Sequence, residues 1–316
     1  GGVKGLRKFG TYTYMLALLE YLVSHRDTYD IIHVHSMSPS AFIGTLGGKL
    51  LNKKTVIKVM ASGEWSDLKR MRDNSFVLGT RYMLPFISRY CDCAIALNRE
   101  TAKELREAGF APEHIAHVPN GVVVSNTHKH TYKLHAPARL VFVGRLQRQK
   151  GLDILLRALA QLKAIRPTAN WKLNVFGEGP RRAEYENLAD DLGIAKQVQF
   201  EGQVPDVPTQ LVAADIFILP SRAEGMSNTL LEAMTTGLPC IATHISGNTD
   251  LIENNANGLL VPPENPKALV RAIASLLDSQ SLREKLARSA MNTARQHYDI
   301  NSIAERYVNI YKNLLA

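Results

Sequence analysis

Short runs of β-branched and apolar residues alternate with helix-forming sequence along this 316-residue chain, and they fall into two series. The first holds "DIIHVHS" (30–36), "TVIKVM" (55–60), "CAIALN" (93–98) and "IAHVPN" (115–120). The second holds "RLVFVGR" (139–145), "WKLNVFG" (171–177), "VQFEG" (198–202), "DIFILPS" (215–221), "LPCIAT" (238–243) and "GLLVPP" (258–263). Segments such as "TAKELREAG", "GLDILLRALAQLKAIR" and "RRAEYENLADDLG" separate them, with apolar residues at helical spacing. Strand and helix in alternation is the pattern of a parallel sheet wrapped by helices, and two series predict two such domains.

The expected division is a Rossmann-like domain over 1–125, a linker over 126–136, a second Rossmann-like domain over 137–299 and a terminal helix over 300–316. The linker reading rests on "VVVSNTHKHTYKLHAPA" (122–138), polar and ended by Pro137. Its His128, His130 and His135 read better as solvated linker than as a metal cluster, because no acidic or thiol ligand accompanies them. The terminal helix places Ile303, Tyr307, Ile310, Tyr311 and Leu314 on one stripe, which requires a surface to pack on; the first domain is one. That domain reads as lacking its first strand or strands, since "GGVKGLRKFGTYTYMLALLEYLVSHRDTYD" opens as a helix with no preceding strand and Gly-rich turn.

Charge distinguishes the two halves. Residues 1 to 135 hold 18 Lys and Arg against 11 Asp and Glu, whereas residues 136 to 316 hold 20 against 18. A basic half suits an anionic partner, a phosphorylated acceptor or a lipid headgroup surface; nucleic acid fits poorly without a dense basic run interleaved with aromatics. No run of about 18 apolar residues or signal-peptide pattern appears, so the expected location is cytoplasmic, or peripheral at the inner face of a membrane. Cys91, Cys93 and Cys240 suit neither a zinc site nor a disulfide framework.

The chemistry concentrates in "SRAEGMSNTLLEAMTTGLPCIAT" (221–243). Ser227 is a good N-cap for a helix from Asn228 to about Thr236, ended by Gly237 and Pro239. The amides of residues 228–230 would then face whatever sits above the preceding strand, and a helix N-terminus suits phosphate. Glu224 precedes the cap and Glu232 lies one turn inside. Phosphate would repel both, so neutral hydroxyls are the better partners. Glycoside hydrolysis needs two carboxylates about 5 to 9.5 Å apart. Eight helical residues would rise about 12 Å, which favours gripping two parts of one ligand. The cation comes from "FVGRLQRQKGLDIL", which sets Gly144 and Arg145 at a strand end and Lys150 before the next helix. Arg and Lys together can neutralise a diphosphate, and no Asp-x-Asp pair is present to hold a divalent ion beside it.

Gly144-Arg145 with Lys150-Gly151, "GEGP" at 177–180, the Glu-x7-Glu of 224 and 232, and "PNGV" at 119–122 together resemble the retaining glycosyltransferases of family 4. The resemblance runs from about residue 29 to the C-terminus and concentrates in 139–263. It implies the GT-B fold, with two Rossmann-like domains facing a cleft. The implied activity is metal-independent transfer of a sugar, with retention, from a nucleotide-diphosphate donor linked to UDP or GDP. The implied acceptor is a glycan or a lipid-linked hydroxyl in cell-surface polysaccharide or glycolipid synthesis.

Under that resemblance Arg145 and Lys150 hold the diphosphate, Glu224 contacts the donor sugar and Glu232 the ribose. Gly144, Gly225, Met226, Ser227, Asn228 and Leu230 frame sugar and phosphate, with Gly177 and the 202–204 loop, including Val204, near the base. "KVMASGEWSD" departs from the family's common His, and on the acceptor side Ser62 and Glu64 stand as candidates with His35. His33 and His35 are read as facing opposite sides of their strand, more as core histidines than as ligands. Rival readings are a non-catalytic nucleotide-sugar-binding subunit and a nucleotide-sugar epimerase on the same fold.

Overall fold

The structure, a computed structural model, describes residues 4–63, 66–73, 79–124, 128–129 and 131–316, without the side chains of 4–9. It divides into two compact units, Gly1–Pro119 with Ile303–Ala316, and Asn120–Ser302.

Unit one is a parallel sheet in the order β1-β2-β3-β4: Ile31–His35, Lys54–Lys58, Cys93–Ala96 and Ile115–His117. Helix α1 (Lys4–Ser24) precedes β1, and α2 (Pro39–Leu51), α3 (Asp67–Arg72), α4 (Thr80–Tyr90) and α5 (Arg99–Glu107) connect the strands. One sheet face packs on these helices through Ile32, Ile57, Ala41, Ile43, Ile87 and Leu105. Val56, Cys93 and Ile95 occupy the opposite face, which is covered by Ile303, Tyr307, Ile310, Tyr311 and Leu314 of the terminal helix, Ile300–Leu315. Alternation along each strand sends consecutive side chains to opposite faces, so β3 is apolar throughout and β2 is apolar at Val56 and Ile57, between polar ends.

Unit two is a six-stranded sheet in the order β10-β9-β8-β5-β6-β7, and its adjacent strands pair in parallel. The strands are β5 (Ala138–Val143), β6 (Trp171–Phe176), β7 (Val198–Gly202), β8 (Ile216–Leu219), β9 (Cys240–Thr243) and β10 (Leu259–Val261). The helices of this unit are α6 (Leu152–Ile165), α7 (Arg182–Asp191), α8 (Val207–Val212), α9 (Asn228–Thr235), α10 (Ser246–Thr249), α11 (Pro266–Asp278) and α12 (Gln280–His297); the terminal helix is α13. Leu152, Leu155, Leu156, Leu159 and Leu162 of α6 are fully buried against the sheet. At about 1.5–3 kcal/mol per large apolar side chain, this stripe fixes where α6 lies and so where the turn before it emerges.

The described part of 122–138 is solvated only in part: Thr131, Lys133 and His135 are exposed, whereas Lys129 and Tyr132 are buried. Lys129 and Asp215 are buried and paired at 3.2 Å. Asp215 also accepts from the His135 amide at 3.1 Å and the Arg139 amide at 2.9 Å, and lies 2.9 Å from His135 Nδ1. A buried carboxylate needs such compensation, and Lys129, a charge that composition assigns to solvent, supplies part of it. Burial pushes the Asp215 carboxyl up, but these hydrogen bonds and Lys129 hold it below its ordinary value. His130 lies outside the described residues.

Candidate functional site

From β5 the chain of unit two runs outward through β6 and β7, then returns to place β8 on the other side of β5. The carboxyl ends of β5 and β8 are therefore neighbours at which strand order reverses, and their loops leave the sheet side by side. Contact between those loops is close: Gly151 has φ +68°, and a Cβ there would fall 2.0 Å from the Pro220 carbonyl oxygen.

The two loops bring Lys150 and Glu224 together. Lys150 Nζ donates to Glu224 Oε1 at 2.6 Å, and Ser221 Oγ donates to the same oxygen at 2.7 Å. The Lys150 side chain is 17% exposed and that of Glu224 7%, so this is a largely desolvated pair with one open side. Both contacts fall on Oε1. The Glu224 loop is held from behind by Thr243 Oγ1, which donates to the Ser221 carbonyl at 2.5 Å, and by Asn248 Nδ2, which donates to the Thr243 carbonyl at 2.9 Å. Gly247 allows close approach from this side, since a Cβ there would sit 2.5 Å from the Glu224 carbonyl oxygen.

Helix α9 begins as its cap predicts, but with one amide fewer. Ser227 Oγ accepts from the Leu230 amide at 3.3 Å, so of residues 228–230 only Asn228 and Thr229 keep amides for a ligand. The Leu230 amide, expected among the framing donors, is held by this cap, since an N-cap side chain takes the amide three residues on. Leu230 itself is fully buried. Asn120 secures the entry to the helix, with its amide donating to Met226 Sδ at 3.1 Å and its Nδ2 to Asn228 Oδ1 at 2.8 Å. Met226 is thereby buried, with its thioether turned to Asn120. Glu232 is half-buried one turn inside, and burial raises its carboxyl above the ordinary value of 4.5.

Beyond β5 and β6 opens a cavity of about 510 Å³ lined by Gly144, Arg145, Phe176, Gly177, Gln203 and Val204. Gly177, at φ +130°, has its missing Cβ 2.1 Å from the Gly144 carbonyl oxygen, and its amide donates to the Gly202 carbonyl at 2.7 Å. Only glycine permits that approach. Arg145 is exposed at the rim. Arg145, Lys150, Glu224, Gly144, Gly177, Val204, Gly225, Met226, Ser227, Asn228 and Glu232 thus all lie in unit two, around the carboxyl edge of its sheet.

The remaining candidates lie in unit one. His35 is exposed at the end of β1. Its ring stacks on His33, with centroids 4.5 Å apart, so the two do not face opposite sides; residues two apart on a strand return to one face. His33 Nδ1 lies 2.6 Å from the Tyr311 hydroxyl, and burial, reinforced by His35 and Lys58, lowers its pKa to about 4. Ser62 is buried, and its Oγ accepts from Asn98 Nδ2 at 3.3 Å. Glu64 lies outside the described residues.

Sequence reasoning missed Ser221, Thr243, Asn248 and Asn120. Each acts through a contact 3 to 108 residues away in the chain, and only the tight spacing of Ser221 to Glu224 was there to be read.

The arrangement sets two cations, two helix amides and two carboxylates around the carboxyl edge of one sheet. Comparison with known proteins identifies the family. The family model described as "Glycosyl transferases group 1" matches residues 109–293, and that described as "Glycosyltransferase Family 4" matches residues 3–126. The chain belongs to this glycosyltransferase family. It is 25% identical over 93% of its length to an Escherichia coli UDP-Gal:alpha-D-GlcNAc-diphosphoundecaprenol alpha-1,3-galactosyltransferase, covering 78% of that protein. It is 34% identical over 66% of its length to a D-inositol 3-phosphate glycosyltransferase of Acidothermus cellulolyticus, covering 50% of that protein. The matched region spans less than half, 44% and 45%, of two other relatives, an uncharacterized glycosyltransferase of Methanocaldococcus jannaschii and an alpha-D-kanosaminyltransferase of Streptomyces kanamyceticus. Among solved structures, Anabaena HepE in complex with UDP-glucose superposes with a TM-score of 0.79 at 20% identity, covering 94% of this chain and 82% of that one. The fold is therefore that of the GT-B glycosyltransferases, with two parallel-sheet α/β units.

Proposed function

We propose that the chain transfers a sugar, with retention, from a nucleotide-diphosphate sugar to a hydroxyl acceptor. The observation that carries this reading is the Lys150–Glu224 pair at the β5/β8 switch point: a cation for the leaving diphosphate and an acid for sugar hydroxyls on adjoining loops. In the proposed reaction the acceptor hydroxyl attacks the face from which the nucleotide leaves. Arg145, the remaining donors of Lys150 and the amides of Asn228 and Thr229 stabilise the charge that develops on the leaving phosphate. Glu224 orients the sugar through Oε2, and Glu232 accepts from ribose hydroxyls. The cavity at Gly177 and Val204 receives the base. No step calls for a metal ion.

Complexes of HepE with UDP and with UDP-glucose support a uridine donor, with GDP sugars the alternative. The names of two relatives contain acceptors that bear phosphate, a diphosphoundecaprenol-linked sugar and inositol 3-phosphate. Together with the 18-to-11 basic excess of residues 1 to 135, they support a phosphate-bearing acceptor, and a role in surface polysaccharide or glycolipid synthesis at the inner face of a membrane. Among the described residues no helix is long and apolar enough to cross one. The test is product analysis with UDP- and GDP-sugars, supplied with and without lipid-linked acceptors. Transfer that is lost in Arg145→Ala and Lys150→Ala supports the assignment. Donor binding without transfer or hydrolysis would instead establish a non-catalytic subunit.

A further inference from the structure

Lys150 sits on a single 3-10 turn, Arg148–Lys150, and Glu224 on an irregular loop. Neither element fixes a side chain by itself, yet the pair closes to 2.6 Å. What joins the two loops is Arg222. Its amide donates to the Gln149 carbonyl at 2.8 Å, and its Nη1 donates to the Arg148 carbonyl at 2.6 Å. In the other direction, Gln149 Nε2 donates to the Ala223 carbonyl at 2.9 Å. The two residues before Lys150 and the two before Glu224 are thus tied by three crossing bonds.

The guanidinium is itself clamped. Nη1 and Nη2 engage Asp153 Oδ1 and Oδ2 at 2.8 and 2.7 Å, a two-toothed pairing with the first turn of α6. Glu264, on the loop after β10, pairs with Nε and, at 3.2 Å, with Nη2. The Arg222 side chain is 12% exposed. Its five donors are spread over a carbonyl and two carboxylates on three separate loops or helix starts, a geometry the flat fork of arginine allows and lysine does not. The cluster does not line the nucleotide-side cavity, so its charges are spent on one another.

We propose that Arg222 is a positioning residue that holds the Lys150 turn against the Glu224 loop and so sets the diphosphate-binding geometry. The consequence for donor binding rests on the function proposed above; the positioning of Lys150 does not. Removing the guanidinium frees the Arg148 carbonyl and leaves Asp153 without its partner; of the three crossing bonds only the two at Gln149 remain, and the Lys150 turn is held less firmly against the Glu224 loop.

Two measurements test this. Acylation by a limiting succinimidyl ester, read by peptide mass spectrometry, reports the freedom of the Lys150 amine. In Arg222→Gln it should react about threefold or more faster than in the parent, while Lys172, on the other side of the sheet order, keeps its rate. An unchanged Lys150 rate overturns the proposal, whether or not the chain binds nucleotide. Calorimetric titration with UDP and with GDP then completes a double-mutant cycle. Arg222→Gln and Lys150→Ala should each weaken binding about tenfold, and the double variant no further than Lys150→Ala alone. Losses that multiply would assign Arg222 a general structural role and overturn the proposal. Arg222→Lys, which keeps charge without the fork, should not restore affinity. Asp153→Asn removes the charge that clamps the guanidinium while Arg222 stays in place; it gives the same two readouts if Arg222→Gln fails to fold. If the parent binds neither nucleotide, the donor-site reading fails while the acylation rates still decide the role of Arg222.

Discussion

Glu224 Oε1 is shared between Lys150 Nζ at 2.6 Å and Ser221 Oγ at 2.7 Å, which places one acid between a cation and a neutral hydroxyl inside a nearly closed loop. The pair sets affinity and turnover against each other. Under the proposed function, Glu224→Gln removes a negative charge beside the diphosphate and releases Lys150 to it. UDP or GDP affinity should rise by about two- to tenfold, while sugar transfer falls by about a hundredfold or more. Calorimetry beside a radiolabelled transfer assay reads both. A parallel loss of binding and transfer would place Glu224 elsewhere in the reaction.

Glu232 makes the opposite trade. Burial alone raises its carboxyl, so the folded protein binds its proton more tightly than the unfolded chain does. Stability from this group is present below the unfolded value and falls as pH rises through the window between that and the higher folded value. Glu232→Gln should therefore raise the melting temperature of the ligand-free protein at pH 7 and reduce the gain from saturating nucleotide. Loss of the charge-assisted ribose contact corresponds to about 1.5–3 kcal/mol. Thermal denaturation with and without UDP measures both effects.

Asp215 is a structural acid, held below its ordinary value despite burial. Its stabilising contribution is complete above the ordinary carboxylate pKa and is lost as pH falls through the lower folded one. Asp215→Ala leaves Lys129 buried and unpaired and should cost about 3–5 kcal/mol, read by urea denaturation at pH 7. The difference from the parent should shrink in acid.

Gly177→Ala introduces a methyl 2.1 Å from the Gly144 carbonyl oxygen at φ +130°. A destabilisation of about 1–3 kcal/mol and loss of nucleotide binding are expected, because the clash separates the ends of β5 and β6 where the cavity opens. Gly193→Ala, at φ +67° with nothing within 4 Å of the added carbon, is the control for backbone strain alone and should keep nucleotide binding.

The strands were legible because a fully buried parallel strand is built of apolar residues; β8 shows this at every position and β9 up to Thr243, and their sequence runs overlap the observed spans. The cap at Ser227 was legible for the same reason of local necessity. Other features were not, because their cause lies elsewhere in the chain. Lys129 reads as solvated until Asp215 is beside it, 86 residues on. Arg222 reads as a loop cation until Asp153 and Glu264 close on it. The cap bond to the Leu230 amide is local and follows from the geometry of an N-cap serine. The side of the sheet shared by His33 and His35 follows from strand periodicity and needed no structure.

Helix α13 follows the whole of unit two in the chain yet covers the β2–β3 face of unit one. During synthesis, therefore, the sheet that emerges first waits with Val56 and Ile95 bare until the ribosome has made the entire second unit. A nascent chain halted before Ile303 would carry that unsheathed apolar surface. Its handling by chaperones is thus tied to how quickly translation reaches the final turns.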